Sequence, residues 1–281
     1  MLERHGLRPR KSLGQNFLVE PSALRRVVEA AELTKDTAVL EVGPGLGHLT
    51  RLLAEAARQV VCVELDQNLI PVLRENLAGY PNVEIVQGDI LGFDPNRLMS
   101  AESGYMVAAN IPYYITSALM RHLLEARRPP ERLVLTVQRE VAERICAEAG
   151  ELSLLALSVQ VYGIPQISGR IPAGAFYPAP KVDSAVIRVS LRPEPLIPRS
   201  QLGLFFRLAK AGFSQKRKTL RNSLAGGMRW STAEAEDRLK AAGIDPMRRA
   251  ESLSLEEWKH LVAELEPPVE PQLDPSSPEH D

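Results

Sequence analysis

Between residues 38 and 110 the chain alternates short, largely apolar runs with longer amphipathic stretches, and each run stops on a glycine or a polar side chain. Ala38–Val42 leads into Gly43, Gln59–Leu65 carries Glu64 at its end, Val83–Val86 leads into Gln87-Gly88-Asp89, and Tyr105–Ala109 into Asn110. Runs this short, spaced by helix-period segments, are the pattern of buried parallel strands joined by crossover helices. The fold class expected is therefore α/β with a mostly parallel sheet. Helices are expected at about 22–33, from the glycine-rich turn at 43–50 onward, and at 66–78, 116–126, 140–149 and 153–161. Later strands at 132–137, 166–171, 176–181 and 183–191 are separated at the end by loops too short for a crossover, which predicts an antiparallel edge.

In an open parallel sheet, ligands bind at the carboxyl ends of the strands, where the polar residues collect here. Gly43-Pro44-Gly45-Leu46-Gly47 occupies the first strand-to-helix turn, and the missing Cβ at Gly43 and Gly45 lets backbone approach a ligand closely. Glu64, 21 residues beyond Gly43, is placed to accept hydrogen bonds from both hydroxyls of a ribose. NAD and S-adenosylmethionine (SAM) both present such a ribose. Asp89 favours SAM, because at the third strand end its carboxylate can accept from an adenine amino group. The polar residues also end consecutive strands, whereas dehydrogenases place their chemistry in a separate substrate domain.

The fourth strand end carries Asn110-Ile111-Pro112-Tyr113-Tyr114-Ile115. This combination suits an exocyclic aromatic amine such as adenine N6, whose lone pair is delocalised into the ring and attacks poorly. Two acceptors for its N–H groups, the Asn110 side-chain oxygen and the Ile111 carbonyl, draw the nitrogen toward an electron-rich, pyramidal geometry. Pro112 stiffens the loop that aims them. Tyr113 can stack on the base, a contact of about 1–3 kcal/mol. Phe176, heading the proline-stiffened stretch 176–181, is placed to close the other face of a flipped base. No Ser/His/Asp or paired-carboxylate constellation is evident, so positioning is expected to do most of the catalysis.

A net charge of −1 argues against a nucleic-acid partner only on average. From Arg199 to Arg229 there are eight Lys or Arg and no Asp or Glu, while six acids and no Lys or Arg lie between Glu264 and Asp281. Segregation of this kind supports a local phosphate-binding face. Lys210, Lys216, Arg217, Lys218 and Arg221 are the candidate RNA contacts. Arg217 and Arg221 are expected to share a helix face, with Phe213 as an aromatic interruption. Such contacts position RNA without selecting its sequence. Cys62 and Cys146 read as buried thiols, and nothing has the spacing of a metal site. No apolar run approaches the ~20 residues that span a membrane. The basic N-terminus lacks the apolar core of a secretory signal. A cytoplasmic monomer is expected.

The chain accordingly divides into a basic, irregular arm (1–20), the α/β domain (21–191), a triple-proline linker (192–198), a helical RNA-binding domain (199–264) and a proline-rich acidic tail (265–281) expected to be disordered. Helices in the fourth segment are expected near 201–211, 215–224, 232–241 and 255–264.

Taken together the motifs resemble the ribosomal RNA small-subunit adenine dimethyltransferase family. The matching pieces are Gly14–Leu18, Leu40–Gly47, Glu64–Asp66, Gly88-Asp89, Asn110–Ile115, Gln138–Arg144, Phe176–Val186 and Phe213–Asn222, spread collinearly over about residues 5–260. The resemblance implies a Rossmann-like, SAM-dependent methyltransferase that dimethylates two adjacent adenosines near the 3′ end of 16S rRNA, in the small subunit or its assembly precursor. It implies donor contacts at Asn16, Leu18, Gly43, Glu64, Asp89 and Asn110, and base stacking at Tyr113 and Phe176. Ile111, where the family more often has Leu, and Arg139, where it more often has Lys, are departures. Two rival functions share these features: a 23S rRNA adenine dimethyltransferase, and a non-catalytic RNA-binding assembly factor. Lys181–Val186 and the basic 213–222 segment favour the small-subunit enzyme, and the intact Glu64, Asp89 and Asn110 favour catalysis.

Overall fold

The computed structural model describes residues 5–99 and 104–265. In chain order the first part contains β1 (Phe17–Leu18), α1 (Pro21–Ala31), β2 (Ala38–Val42), α2 (His48–Ala56), β3 (Gln59–Glu64), α3 (Ile70–Leu77), β4 (Val83–Gln87), α4 (Pro95–Leu98) and β5 (Tyr105–Asn110). It continues with α5 (Thr116–Leu124), β6 (Arg132–Gln138), α6 (Arg139–Ile145), α7 (Leu154–Gln160), β7 (Gly163–Ile171), β8 (Phe176–Tyr177) and β9 (Ser184–Leu191). Seven strands form one sheet in the order β4-β3-β2-β5-β6-β9-β7. The first five are parallel, while β9 runs antiparallel to both β6 and β7. This is the α/β class with an antiparallel edge that the strand pattern predicts.

β2 lies at the centre, buried along its whole length, because helices cover both faces of a sheet built by crossovers. From β2 the chain steps to β3 on one side and later returns to β5 on the other. That reversal opens a crevice at the carboxyl ends of β2 and β5. The register brings Val42 level with both Val63 and Ala109, so Gly43, Glu64 and Asn110 end their strands at one height.

Three expectations are corrected here. The arm is not irregular throughout: β1 pairs antiparallel with β8, setting Phe17 opposite Tyr177 and Leu18 opposite Phe176. Nor do residues 176–181 form a strand of the main sheet. Pro178 and Pro180 have no N–H to give a ladder, so the strand stops after Tyr177 and pairs with the arm instead. The helix expected from residue 66 opens as a short 3₁₀ turn at Gln67–Leu69, because the Asp66 side chain accepts from the Asn68 N–H and caps it there.

Backbone contacts divide the chain between Pro195 and Leu196, inside the proline-rich stretch. The second unit is all helical: α8 (Leu202–Phe213), α9 (Leu220–Met228), α10 (Thr232–Ala241) and α11 (Leu255–Leu265). Its core is organised on Trp258, fully buried and stacked on Phe213 with ring centroids 6.1 Å apart. α9 starts five residues later than residue 215, where the sequence placed it. Lys216-Arg217-Lys218 would put three cations at the positive end of the helix dipole, which disfavours helix there. The first N–H groups of α9 are satisfied instead by chain carbonyls, Leu220 donating to Arg248 and Arg221 to Pro246. The expected tail lies outside the described residues. Among those residues no helix is long and apolar enough to cross a membrane.

Candidate active site

A cavity of about 300 Å³ opens at the carboxyl edge of the sheet. Gly43, Gly45, Glu64, Asp89 and Asn110 all line it, and so do Asn16 and Leu18 of the arm. Ile111, Pro112, Tyr113 and Phe176 line the same space. The structure thus brings together every donor-side and target-side residue singled out from the sequence.

The glycine turn wraps the donor end. Gly43, Gly45 and Gly47 all have positive φ, +70°, +60° and +81°. Gly45 has a second constraint, since a Cβ there would sit 2.8 Å from the Phe17 ring of the arm. Its N–H donates to Glu64 Oε2 at 3.1 Å, while the Asp66 N–H donates to Oε1 at 2.8 Å. Each carboxylate oxygen retains a lone pair for a further donor. Burial pushes the Glu64 carboxyl up, against the pull of these backbone N–H groups. Asp89 is exposed at the rim, where its side chain accepts from the Leu91 N–H at 3.0 Å.

At the target end the Asn110 Nδ2 donates to the main-chain oxygen of Asn16 at 3.1 Å. A carbonyl can only accept, so this contact decides which end of the amide faces the arm. Oδ1 has no partner among the described residues. Tyr113 is anchored by its phenol, 2.7 Å from the Ser184 hydroxyl. Phe176 is buried and held through the β1–β8 pairing, and the Val19 and Glu20 N–H groups donate to Ala175 just before it.

Several contributors escape a reading by motif. The arm is tied down by Asp66, which accepts from Arg10 Nη1 at 3.1 Å and Gln15 Nε2 at 2.9 Å. Burial raises the Asp66 carboxyl, but the Gln15, Asn68 and Arg10 bonds outweigh it and leave it below its ordinary value. Glu41, in the middle of β2, is fully buried and lines the cavity, with Oε2 lacking a partner among the described residues. Its burial pushes the carboxyl up to about 8, aided by the Glu64 charge and partly offset by the nearby Thr50 hydroxyl, which does not reach hydrogen-bond geometry. The available signal was a carboxylate inside the otherwise apolar run Ala38–Val42. His48, at the start of α2, also borders the cavity; burial holds its imidazole below the usual range, and a bond to the Leu18 carbonyl offsets part of that.

In the second unit Lys210, Lys216, Arg217 and Lys218 are exposed. Arg217 sits in the turn before α9, so it does not share a helix face with Arg221. Arg221 is engaged by Glu236 at 2.8 Å, and Phe213 is taken up in the core stack with Trp258. Cys62 is buried as expected, whereas Cys146 is half-buried. Among the described residues no group of three His, Cys, Asp or Glu could hold a metal ion.

Comparison with known proteins now decides the family. The model for ribosomal RNA adenine dimethylase matches residues 6–266. The chain belongs to that family. It is an rRNA adenine dimethyltransferase, and the Rossmann-like methyltransferase fold expected from the resemblance is the fold observed. A Dehalococcoides mccartyi (strain CBDB1) protein named ribosomal RNA small subunit methyltransferase A is 46% identical over 264 residues, covering 94% of this chain and 91% of its own. Among solved structures, the 23S rRNA methyltransferase ErmE is 32% identical with a TM-score of 0.72, covering 89% of this chain and 99% of its own. A dimethyladenosine transferase from Plasmodium falciparum has a TM-score of 0.75 at 24% identity, covering 87% and 95%, and shares the fold.

Proposed function

We propose that this dimethyltransferase binds SAM in the cavity and places two methyl groups on N6 of each of two adjacent adenosines near the 3′ end of 16S rRNA. The substrate is the small ribosomal subunit or its assembly precursor, which makes the enzyme a cytoplasmic factor of ribosome biogenesis. The small-subunit assignment is supported by the relative at 46% identity that carries that name, against 32% for the 23S enzyme.

The residues present fit the donor. The glycine turn at Gly43 and Gly45 leaves room for close backbone approach, and Glu64 has acceptor capacity left for ribose hydroxyls. Asp89 at the rim is placed for an adenine amino group, and Asn16 and Leu18 of the strapped-down arm wall the cavity. Bound SAM supplies a methyl carbon on a sulfonium, whose charge is lost as the amine is alkylated. The chain's own task is to hold N6 in line with that carbon and to raise its nucleophilicity. The observation that carries this reading is the Asn110–Asn16 bond: by committing the amide NH₂, it leaves Oδ1 as the acceptor for one N6 hydrogen. The Ile111 carbonyl takes the other, and Pro112 limits the motion of both. After the first transfer N6 keeps one hydrogen, so one of the two acceptors suffices for the second.

Tyr113 and Phe176 sandwich the flipped base in this reading. Ser184 then matters because it pins the Tyr113 ring by its phenol. Ser184→Ala is expected to lower kcat/KM by up to about tenfold, the worth of one hydrogen bond of about 0.5–1.5 kcal/mol. Steady-state transfer assays check this, and a variant at wild-type efficiency contradicts a positioning role. Phosphate contacts fall to Lys210, Lys216, Arg217 and Lys218. Arg221, shared with Glu236, contributes less than the sequence suggested. Affinity for RNA should fall steeply with salt.

Transfer of labelled methyl from SAM to undermethylated small subunits, run beside large-subunit RNA, tests the proposal. Four methyl groups per small subunit and none on 23S RNA are expected. Label on 23S RNA assigns the other substrate, and no label on either supports a non-catalytic assembly factor.

A further inference from the structure

Two aromatic pairs border the cavity, and in each a buried or anchored ring is followed in the chain by an exposed one. Tyr113 is tied to Ser184 while Tyr114 is 63% exposed; Phe176 is 5% exposed and Tyr177 57%. Neighbouring side chains point apart, by about 120° in a 3₁₀ turn and to opposite sides in a strand, so one ring of each pair turns inward and the other outward. Of the two outward rings, Tyr114 also lines the cavity and Tyr177 does not. The Tyr114 phenol has no hydrogen-bond partner among the described residues. Its ring edge rests on the arm at Gly14, where a Cβ would come within 3.1 Å of Tyr114 Cε1. An aromatic ring is thus seated at the mouth of the cavity with most of its surface open.

We propose that Tyr114 is a second base subsite, stacking the nucleobase next to the adenosine that Tyr113 and Phe176 hold. The proposal rests on that grip. Extruding a base strips its chain neighbour of a stacking partner, and an aromatic ring at the mouth replaces the lost surface. Stacking tolerates any base because each has a π-face. One ring can therefore serve in both rounds, when first one and then the other of two adjacent adenosines occupies the pocket.

The test uses undermethylated small subunits whose 16S rRNA carries 2-aminopurine at the target adenosine, at its 5′ neighbour or at its 3′ neighbour. Wild-type enzyme and Tyr114→Phe are expected to quench the probe at one neighbouring position. Tyr114→Ala and Tyr114→Leu are expected to lose that quenching, with KM for the subunit raised about tenfold. Leucine keeps an apolar contact with Gly14 but has no π-face, so it separates stacking from packing. Tyr114→Leu behaving as wild type, or Tyr114→Phe as impaired as Tyr114→Ala, overturns the subsite. A responsive target probe with neither neighbour quenched by wild-type enzyme overturns it while leaving the grip intact. A silent target probe removes the grip, and the subsite with it.

Discussion

Replacing Asn110 with alanine is expected to slow single-turnover methyl transfer by about 10²–10³-fold, the scale seen when one preorganised hydrogen-bonding group is removed from a reacting centre. Two effects combine. The acceptor for N6 disappears, and the Asn16 carbonyl loses the donor that holds the arm against the end of β5. The second effect alone costs about 1 kcal/mol of stability, too little to account for the rate. Asn110→Asp separates them. It restores an oxygen toward N6 but turns a second oxygen on the Asn16 carbonyl, so the arm loosens while the acceptor returns. Rates that fall as far in aspartate as in alanine would assign the effect to the arm. A partial recovery in aspartate assigns it to the acceptor. An alanine variant at full rate contradicts the account.

Glu41→Gln should change how stability depends on pH. The Glu41 carboxyl titrates near 8 in the folded chain, against an ordinary value of 4.5, with burial the first cause. Between those values the folded state holds one proton more than the unfolded state, so stability falls as pH rises, by at most about 1.4 kcal/mol per pH unit. Below pH 4.5 both states are protonated and the effect vanishes; above about 8 it has reached its limit. Glutamine carries no proton to lose. The variant is therefore expected to gain on the wild type by up to a few kcal/mol between pH 5 and 8, as read by urea unfolding at several pH values. Parallel stability curves would contradict the buried acid. The same carboxyl lines the cavity, so a cationic donor bound there draws the proton off. Wild-type donor affinity should then rise with pH up to about 8, and that of the variant should rise less steeply, because the raised Glu64 carboxyl still lines the cavity.

What could be read from sequence was whatever burial imposes locally. A central parallel strand must be largely apolar, and the residue after it must meet solvent or ligand, so Gly43, Glu64 and Asn110 announced both the sheet and the cavity edge. The glycine turn was legible for a related reason, since Gly45 needs both a positive φ and clearance from Phe17. The anchoring of the arm was not legible. Its anchor on Asp66 links Arg10 to a residue 56 positions away, and no local period reports such a pairing. Ser184 was hidden likewise, meeting Tyr113 across 71 positions. Glu41 was visible as a misfit in an apolar run but carried no motif that named its place. Residues 215–219 carry the helix period yet stay outside α9, because three successive cations oppose the dipole of the helix they would begin.

A structure of the enzyme with its rRNA and S-adenosylhomocysteine measures the central claim directly. The account predicts adenine N6 within about 2.7–3.2 Å of both Asn110 Oδ1 and the Ile111 carbonyl oxygen, with the Asn110–Asn16 bond retained. An amide turned the other way, with Nδ2 toward the base and N6 held by some other group, would contradict it.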